Sequence, residues 1–186
     1  MNKIAKVVGI GALGAGAGAL LLAGRVLAGR HPVGNKAVPE PARRVDLDRY
    51  LGRWYEIARY EQSFEQGCEA STADYALRPD GKIAVTNSAR RPDGTTRVVE
   101  GRAIVVDTAT DAKLKVSFFG PFYIGNYWVL DRGEDYDWAI VGESSGRYLW
   151  LLARKAQPDP AERAALIARA GALGYDTSML VETVQP

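Results

Sequence analysis

Residues 78–95 read Arg-Pro-Asp-Gly-Lys-Ile-Ala-Val-Thr-Asn-Ser-Ala-Arg-Arg-Pro-Asp-Gly-Thr, and the two Pro-Asp-Gly triplets in this stretch decide the fold class. In each, proline presets one turn dihedral and glycine permits positive φ, so Pro79-Asp80-Gly81 and Pro92-Asp93-Gly94 mark tight reversals. Between them Lys82–Arg90 alternates, with Ile83, Val85, Asn87 and Ala89 on one face. The same turn-and-strand unit recurs on both sides. Upstream lie strands at Arg53–Gln62 and Glu69–Arg78; downstream lie Thr95–Asp107, Lys113–Phe119, Phe122–Leu130, Asp137–Gly142 and Tyr148–Arg154. In Lys113–Phe119, Leu114, Val116 and Phe118 face one way and Lys113, Lys115 and Ser117 the other. The last three strands are apolar on both faces and need cover on two sides.

The second cover follows directly. Asp159-Pro160-Ala161-Glu162 combines an N-cap acceptor, a proline at the first helical position and a glutamate that completes a capping box. Leu166, Ile167, Ala170 and Leu173 then share a face, and Gly174 ends the helix. Asp176–Val184 reads as a last strand on an edge. This pattern predicts an all-β protein: an eight-stranded antiparallel up-and-down β-barrel with one C-terminal α-helix packed on the outside, because closure removes exposed edges. An eight-stranded barrel can hold one small ligand or be filled by its own side chains. The pattern leaves both open.

The chain has 186 residues, 47% of them apolar and 25% charged, as in an ordinary globular domain. Of its 24 Lys+Arg, four (Lys3, Lys6, Arg25, Arg30) fall in the first 30 residues, which hold no acid; the rest carries 20 against 22 Asp+Glu. A slightly acidic body argues against a nucleic-acid partner. One Cys (Cys68) and one His (His31) exclude an intrachain disulfide and a cysteine-based zinc cluster, and speak against a histidine triad or a histidine-held metal or haem. No cofactor is implied.

Residues 1–30 read as an address. A short basic start precedes Val7–Gly24, an uncharged stretch of 18 residues that ends in Leu20-Leu21-Leu22. It fits a secretory signal with Val26-Leu27-Ala28 as the cleavage box, and equally a retained membrane anchor, since 18 helical residues span roughly 27 Å. Six glycines weaken the stretch as a helix. A lipid-modified cysteine is unsupported, because the region reads Leu22-Ala23-Gly24-Arg25. Residues 31–44, with Pro32, Pro39 and Pro41, read as a polar linker to a body over residues 45–186.

Three motifs carry a family resemblance. Leu51-Gly52-Arg53-Trp54-Tyr55-Glu56-Ile57-Ala58-Arg59-Tyr60 resembles the opening motif of the lipocalins, a glycine, any residue and a tryptophan on the first strand. Trp128-Val129-Leu130-Asp131 with Tyr136 resembles their second motif, and Leu149-Trp150-Leu151-Leu152-Ala153-Arg154 their third. The wording is most similar to the bacterial lipocalins and their apolipoprotein D-like relatives. The resemblance implies that Gly52, Trp54, Asp131, Tyr136 and Arg154 are scaffold, with Trp54 plugging the closed end and Arg154 lying across its ring, a cation–π contact. Relatives that use disulfides place a cysteine at the start of the second strand. Cys68 lacks a mate here, and is read as an idle thiol, an intermolecular bridge or a nucleophile, in that order.

Alternation then suggests a ligand-binding lining of Tyr75, Val85, Asn87, Phe118, Tyr127 and Trp150, with Leu152 beneath Trp150. Asn87 alone is polar on its face. It calls for a ligand headgroup or ordered water as partner, or else it lies solvated at the mouth. The resemblance implies a non-enzymatic carrier or store of a fatty acid, lysophospholipid or similar amphiphile, exported to the periplasm or bacterial cell envelope, associated with the outer membrane, and serving membrane maintenance. Contact with the membrane would run through the N-terminal segment. A lipid-modifying enzyme and a dimeric interaction module, with homodimers formed on strands six to eight, are the alternatives.

Overall fold

The computed structural model describes residues 32–186, and the expected N-terminal address and His31 lie outside them. The body is the anticipated barrel: β1 (Gly52–Tyr60), β2 (Glu69–Leu77), β3 (Ile83–Arg90), β4 (Thr96–Val105), β5 (Lys113–Ser117), β6 (Gly125–Arg132), β7 (Trp138–Gly142) and β8 (Leu149–Ala153) pair antiparallel in chain order. Pairing of Gly52–Tyr55 with Tyr75–Thr72 and of β1 with β8 closes the ring. Helix α2 (Pro160–Ala172) starts at the Asp159–Glu162 capping box, and buries Leu166 and Ala170 against Leu130, Ile140, Leu149 and Leu151 on the outer wall. That is the second cover required by the two-sided strands.

One end is shut. The turns 78–82, 106–112 and 133–137 lie here, and so does a single helical turn that the alternation did not foretell, α1 (Leu47–Tyr50). Tyr50 is buried on the inner cluster with Trp54, and Leu47 packs against it. The loops 61–68, 91–95, 118–124 and 143–148 form the opposite end. From residue 32 the chain lies against the body: Gly34 and Asn35 donate backbone N–H bonds to Gly146 O, Asn35 Nδ2 donates to Leu173 O, and Val45 N donates to Thr110 O.

Two expected boundaries shift. The sixth strand begins at Gly125 and not at Phe122, because Gly120 turns at φ 56° and Pro121 has no N–H to give to a ladder. Phe122 and Ile124 therefore stand in a loop. The last strand is only Leu180–Glu182 (β9), preceded by a 3-10 turn at Thr177–Met179, and it lies on an edge of the sheet as expected, beside β1. A bulge at Ile57 shifts β1 by one residue against β8, and the β1–β2 ladder stops at Tyr55–Thr72. The C-terminal segment fills the gap: β9 pairs with Ala58–Tyr60, Thr183 N donates to Ile57 O, Ala70 N donates to Val184 O, and Gln185 Nε2 donates to Glu56 O and Ser71 O. Backbone groups freed by the bulge would otherwise be buried unpaired.

The closed end hangs on Arg154. Its Cζ lies 3.8 Å from the Trp54 ring centroid, and its guanidinium donates to the carbonyls of Arg49, Tyr50, Leu51, Arg53 and Tyr136 at 2.7–3.2 Å. Gly52, at φ 93°, adopts a conformation that side chains rarely tolerate, and a Cβ there would stand 3.3 Å from Arg154 Nη1. Arg154→Gln strips the charge and most of these bonds; we expect a loss of roughly 3 kcal/mol in urea unfolding with an unchanged m-value.

Candidate ligand-binding site

Cross-strand register fixes which side chains face the barrel axis. Starting from Trp54, the pairs Trp54–Ala73, Ala73–Asn87 and Asn87–Val99 define one inward layer, and Tyr75–Val85 and Val85–Gly101 another. Ala103–Val116, Leu114–Tyr127, Val129–Val141 and Val141–Trp150 carry the inner surface round to β8. All six residues expected to line a ligand therefore point inward. Val85, Tyr75, Phe118 and Tyr127 meet in one apolar cluster with Ile83, Ala103 and Leu114. Trp150 packs on the neighbouring cluster around Trp54 and Leu152, and Asn87 stands one inward position above Val85.

Depth sorts these side chains. Near the closed end Trp54, Val129, Val141 and Leu152 are buried, whereas Asn87, Val99, Val116, Phe118, Tyr127 and Trp150 are only half-buried although they face inward. An inward-facing side chain in a closed ring keeps accessible surface only if solvent reaches the inside. The upper barrel is thus a lumen with a predominantly apolar wall, open at the end opposite Trp54.

The tyrosine hydroxyls do not point freely at that lumen. Tyr75 Oη donates to Tyr127 Oη at 3.0 Å, and Tyr127 Oη lies 2.7 Å from Tyr50 Oη, while the Tyr50 and Tyr75 rings stack at 5.9 Å. Tyr50, supplied by α1, was invisible to strand alternation. Burial raises the pKa of Tyr50 and Tyr127 well above the usual phenol value, and pushes Tyr75 up to about 12, so all three stay protonated in neutral water. Three hydroxyl protons share two hydrogen bonds. One donor at the floor is left over whichever way the chain of bonds runs.

A polar cluster occupies the wall that β1 builds. Beyond the Ile57 bulge, Arg59 pairs with Trp150 across β8 and turns inward, where it is 1% exposed. Its Nη1 donates to Glu56 Oε1 at 2.8 Å and to Thr183 Oγ1 at 3.0 Å, and its Nη2 donates to Glu65 O at 2.9 Å. Trp150 Nε1 donates to Glu65 Oε2 at 3.3 Å. Burial works against the Arg59 charge, but the carboxylates of Glu56, Glu65 and Glu61 outweigh it and leave the pKa raised. Burial, reinforced by Glu56, pushes Glu65 up to about 8. Arg59 Nε, Ser71 Oγ and Asn87 Oδ1 are enclosed in this region without a hydrogen-bond partner.

The remaining motif residues serve the frame. Asp131 accepts from Arg169 Nε of α2 at 2.5 Å, tying helix to barrel. Tyr136, at φ 58°, accepts from Asp46 N at 2.7 Å and has the guanidiniums of Arg49 and Arg132 over its ring at 4.6 and 4.2 Å. Cys68 is a free, buried thiol next to the β1–β2 loop, its N–H bonded to Glu65 O.

Residues 45–185 match the lipocalin-like domain. The chain belongs to the lipocalin family. This lipocalin is 42% identical over 149 residues to the outer membrane lipoprotein Blc of Vibrio cholerae serotype O1, covering 78% of this chain and 86% of that one. It is 41% identical over 155 residues to the Blc of Escherichia coli K12, covering 80% and 87%. Among solved structures, insecticyanin from the tobacco hornworm Manduca sexta superposes with a TM-score of 0.65 at 21% identity, over 82% of this chain and 88% of that one. Lipocalins are in general binders of small hydrophobic molecules, which agrees with the lumen described above.

Glu65 gives this lipocalin a pH dependence of defined sign. Its carboxyl holds a proton in the folded protein up to about pH 8, whereas the unfolded chain releases it near the usual glutamate value of about 4.3. The folded state binds more protons between these limits, so this contribution to stability is complete below the lower value and is lost as pH rises to about 8. Glu65→Gln should flatten the decline of unfolding free energy between these two pH values, measured in parallel urea titrations.

Proposed function

We propose that this lipocalin carries or stores an amphiphile with an acyl chain, a fatty acid or a lysophospholipid, in the bacterial cell envelope, and does no chemistry on it. The observation that carries the reading is the half-buried apolar inner wall of Val99, Val116, Phe118, Tyr127 and Trp150, set in a ring that is sealed below by Trp54 and open above. Enclosure of an alkyl chain there contributes about 0.8 kcal/mol per methylene, which brings micromolar affinity within reach of one chain. The polar pole at Arg59, Glu56 and Glu65 lies on the β1 side of the same wall and suits the polar part of such a molecule. Tyr75, Val85, Asn87, Phe118, Tyr127 and Trp150 are assigned to its apolar and polar contacts.

The envelope assignment draws support from the uncharged Val7–Gly24 stretch and from relatives named outer membrane lipoproteins. With no cysteine after Leu22-Ala23-Gly24, this chain would reach the envelope by a cleaved signal or a retained apolar anchor, not by lipid modification there.

Native mass spectrometry of the protein with its endogenous load, followed by displacement of a fluorescent fatty-acid analogue, tests the reading. We expect a bound amphiphile and displacement by lysophospholipid or fatty acid. Val116→Trp, which places an indole in the lumen without touching the Trp54–Arg154 plug, should weaken the analogue tenfold or more while thermal unfolding moves little. A chain purified empty that also ignores the analogue would defeat the carrier reading.

A further inference from the structure

All four phenylalanines of the chain sit at the open end. Phe118 turns into the lumen, but Phe119, Phe122 and Ile124 of the β5–β6 loop are 39%, 71% and 54% exposed, and Phe64 of the β1–β2 loop is 43% exposed. From Phe118 to Gly125 the sequence Phe-Phe-Gly-Pro-Phe-Tyr-Ile-Gly contains no charge. Nothing at the closed end matches it: the large apolar side chains exposed there are Leu77 and Val106, both aliphatic and on different turns.

The cations divide the same way. Around the closed end they are paired: Arg44 with Asp111, Arg53 with Asp74, Arg78 and Lys82 with Asp80. At and below the open end Arg91, Arg97, Arg102 and Lys115 form no ion pair among the described residues. Arg102 and Lys115 stand on the outer face of β4 and β5 just beneath the apolar loop, Arg102 donating to Gly120 O and lying 5.7 Å over the Tyr123 ring. Arg97 donates to Phe64 O. Of the acids of this end Glu69 pairs with Arg90 and Glu61 with Arg59, whereas Asp93 and Glu143 accept from the uncharged Thr95 and Ser145, and Glu100 forms no ion pair among the described residues.

Exposed aromatics on an uncharged loop, with guanidinium and ammonium groups that form no ion pair set behind them, match the layered chemistry of a bilayer surface: acyl chains and glycerol deepest, anionic phosphates nearer the water. A protein partner would have to supply the same two layers in the same order. The first described residues also lie at this end, where Gly34 and Asn35 are bonded to Gly146 of the loop 143–148.

We propose that the open end of the barrel docks on a lipid bilayer, with Phe119, Phe122 and Ile124 entering the interfacial region while Arg102 and Lys115 meet anionic headgroups. Docked in this way, the lumen faces the membrane, and an amphiphile passes between the two without crossing bulk water. The inference extends the carrier reading but does not need it, since the rim is built whether or not the lumen is loaded.

The test uses the full chain in a Cys68→Ala background, with a single new cysteine carrying an environment-sensitive fluorophore. Phe122→Cys places the label on the rim, and Leu77→Cys places it on an equally exposed apolar site at the closed end. With vesicles of phosphatidylethanolamine and phosphatidylglycerol, the label at 122 should shift to the blue and be quenched by spin-labelled acyl chains, while the label at 77 does neither. Because the N-terminal segment alone can hold the chain on vesicles, the contrast between positions is the readout and not co-sedimentation. Arg102→Gln and Lys115→Gln should each raise the anionic-lipid requirement about fivefold. The proposal is overturned if position 122 stays in water on protein-bearing vesicles, if 77 responds equally, or if 122 becomes shielded with protein concentration alone, the mark of a second copy on the rim. A chain that holds a fatty acid by native mass spectrometry yet keeps position 122 wet loses only the docking proposal; one that docks but stays empty loses only the carrier reading.

Discussion

The contact between the Arg154 guanidinium and the Trp54 indole organises the molecule. One planar cation lies 3.8 Å from a ring that is fully buried, and spends its N–H groups on carbonyls from α1, the start of β1 and the β6–β7 turn. Those segments have no hydrogen-bonding ladder in common. Arg154 therefore does by point contacts what a sheet cannot do at its end, joining the first strand, the eighth strand and the plug. A guanidinium suits this because it is planar, stacks, and donates in several in-plane directions at once, whereas an ammonium would satisfy fewer carbonyls and could not lie flat on the indole.

Local signals in the sequence carried most of the architecture. The Pro-Asp-Gly turns, the alternation of Leu114, Val116 and Phe118, and the Asp159–Glu162 capping box each depend on residues within a few positions, and each appears where expected. What stayed hidden depends on long-range fit. Counting by twos from Trp54 puts Glu56 inside and Arg59 outside; the extra residue at Ile57 leaves Glu56 where it is but turns Arg59 inward, and so delivers a buried cation to the lumen wall. A bulge is decided by the partner strand and not by its own sequence, so the Arg59 cluster could not be read. Tyr50 was missed because one helical turn has no periodicity to detect. In the opposite direction, Phe122 and Ile124 continued an apolar run and were read into a strand, although Gly120 and Pro121 had already ended the ladder.

Polarity inside the barrel is distributed, and the distribution has a physical logic. At the floor, three phenols bond to one another and remain neutral, adding directional bonds without a desolvated charge. On the β1 wall, Arg59 and Glu56 form an internal pair while Glu65 keeps its proton, so little net charge is buried. Remaining inward positions on β3 to β7 are mostly apolar, Asn87 and Arg97 excepted. Two chemically distinct walls therefore face each other across one cup, which is the asymmetry expected of a site for molecules that are themselves two-sided.

The C-terminal segment has a consequence for how the protein comes into being. All eight barrel strands are complete by Ala153, but the gap between β1 and β2 above the bulge is bridged by Thr183, Val184 and Gln185, with Thr183 Oγ1 reaching Glu56 across 127 positions. Until residues 183–185 fold back onto β1 and β2, this seam stays open. A closure across 127 positions thus completes the barrel, and eight strands alone make a ring with an unzipped flank.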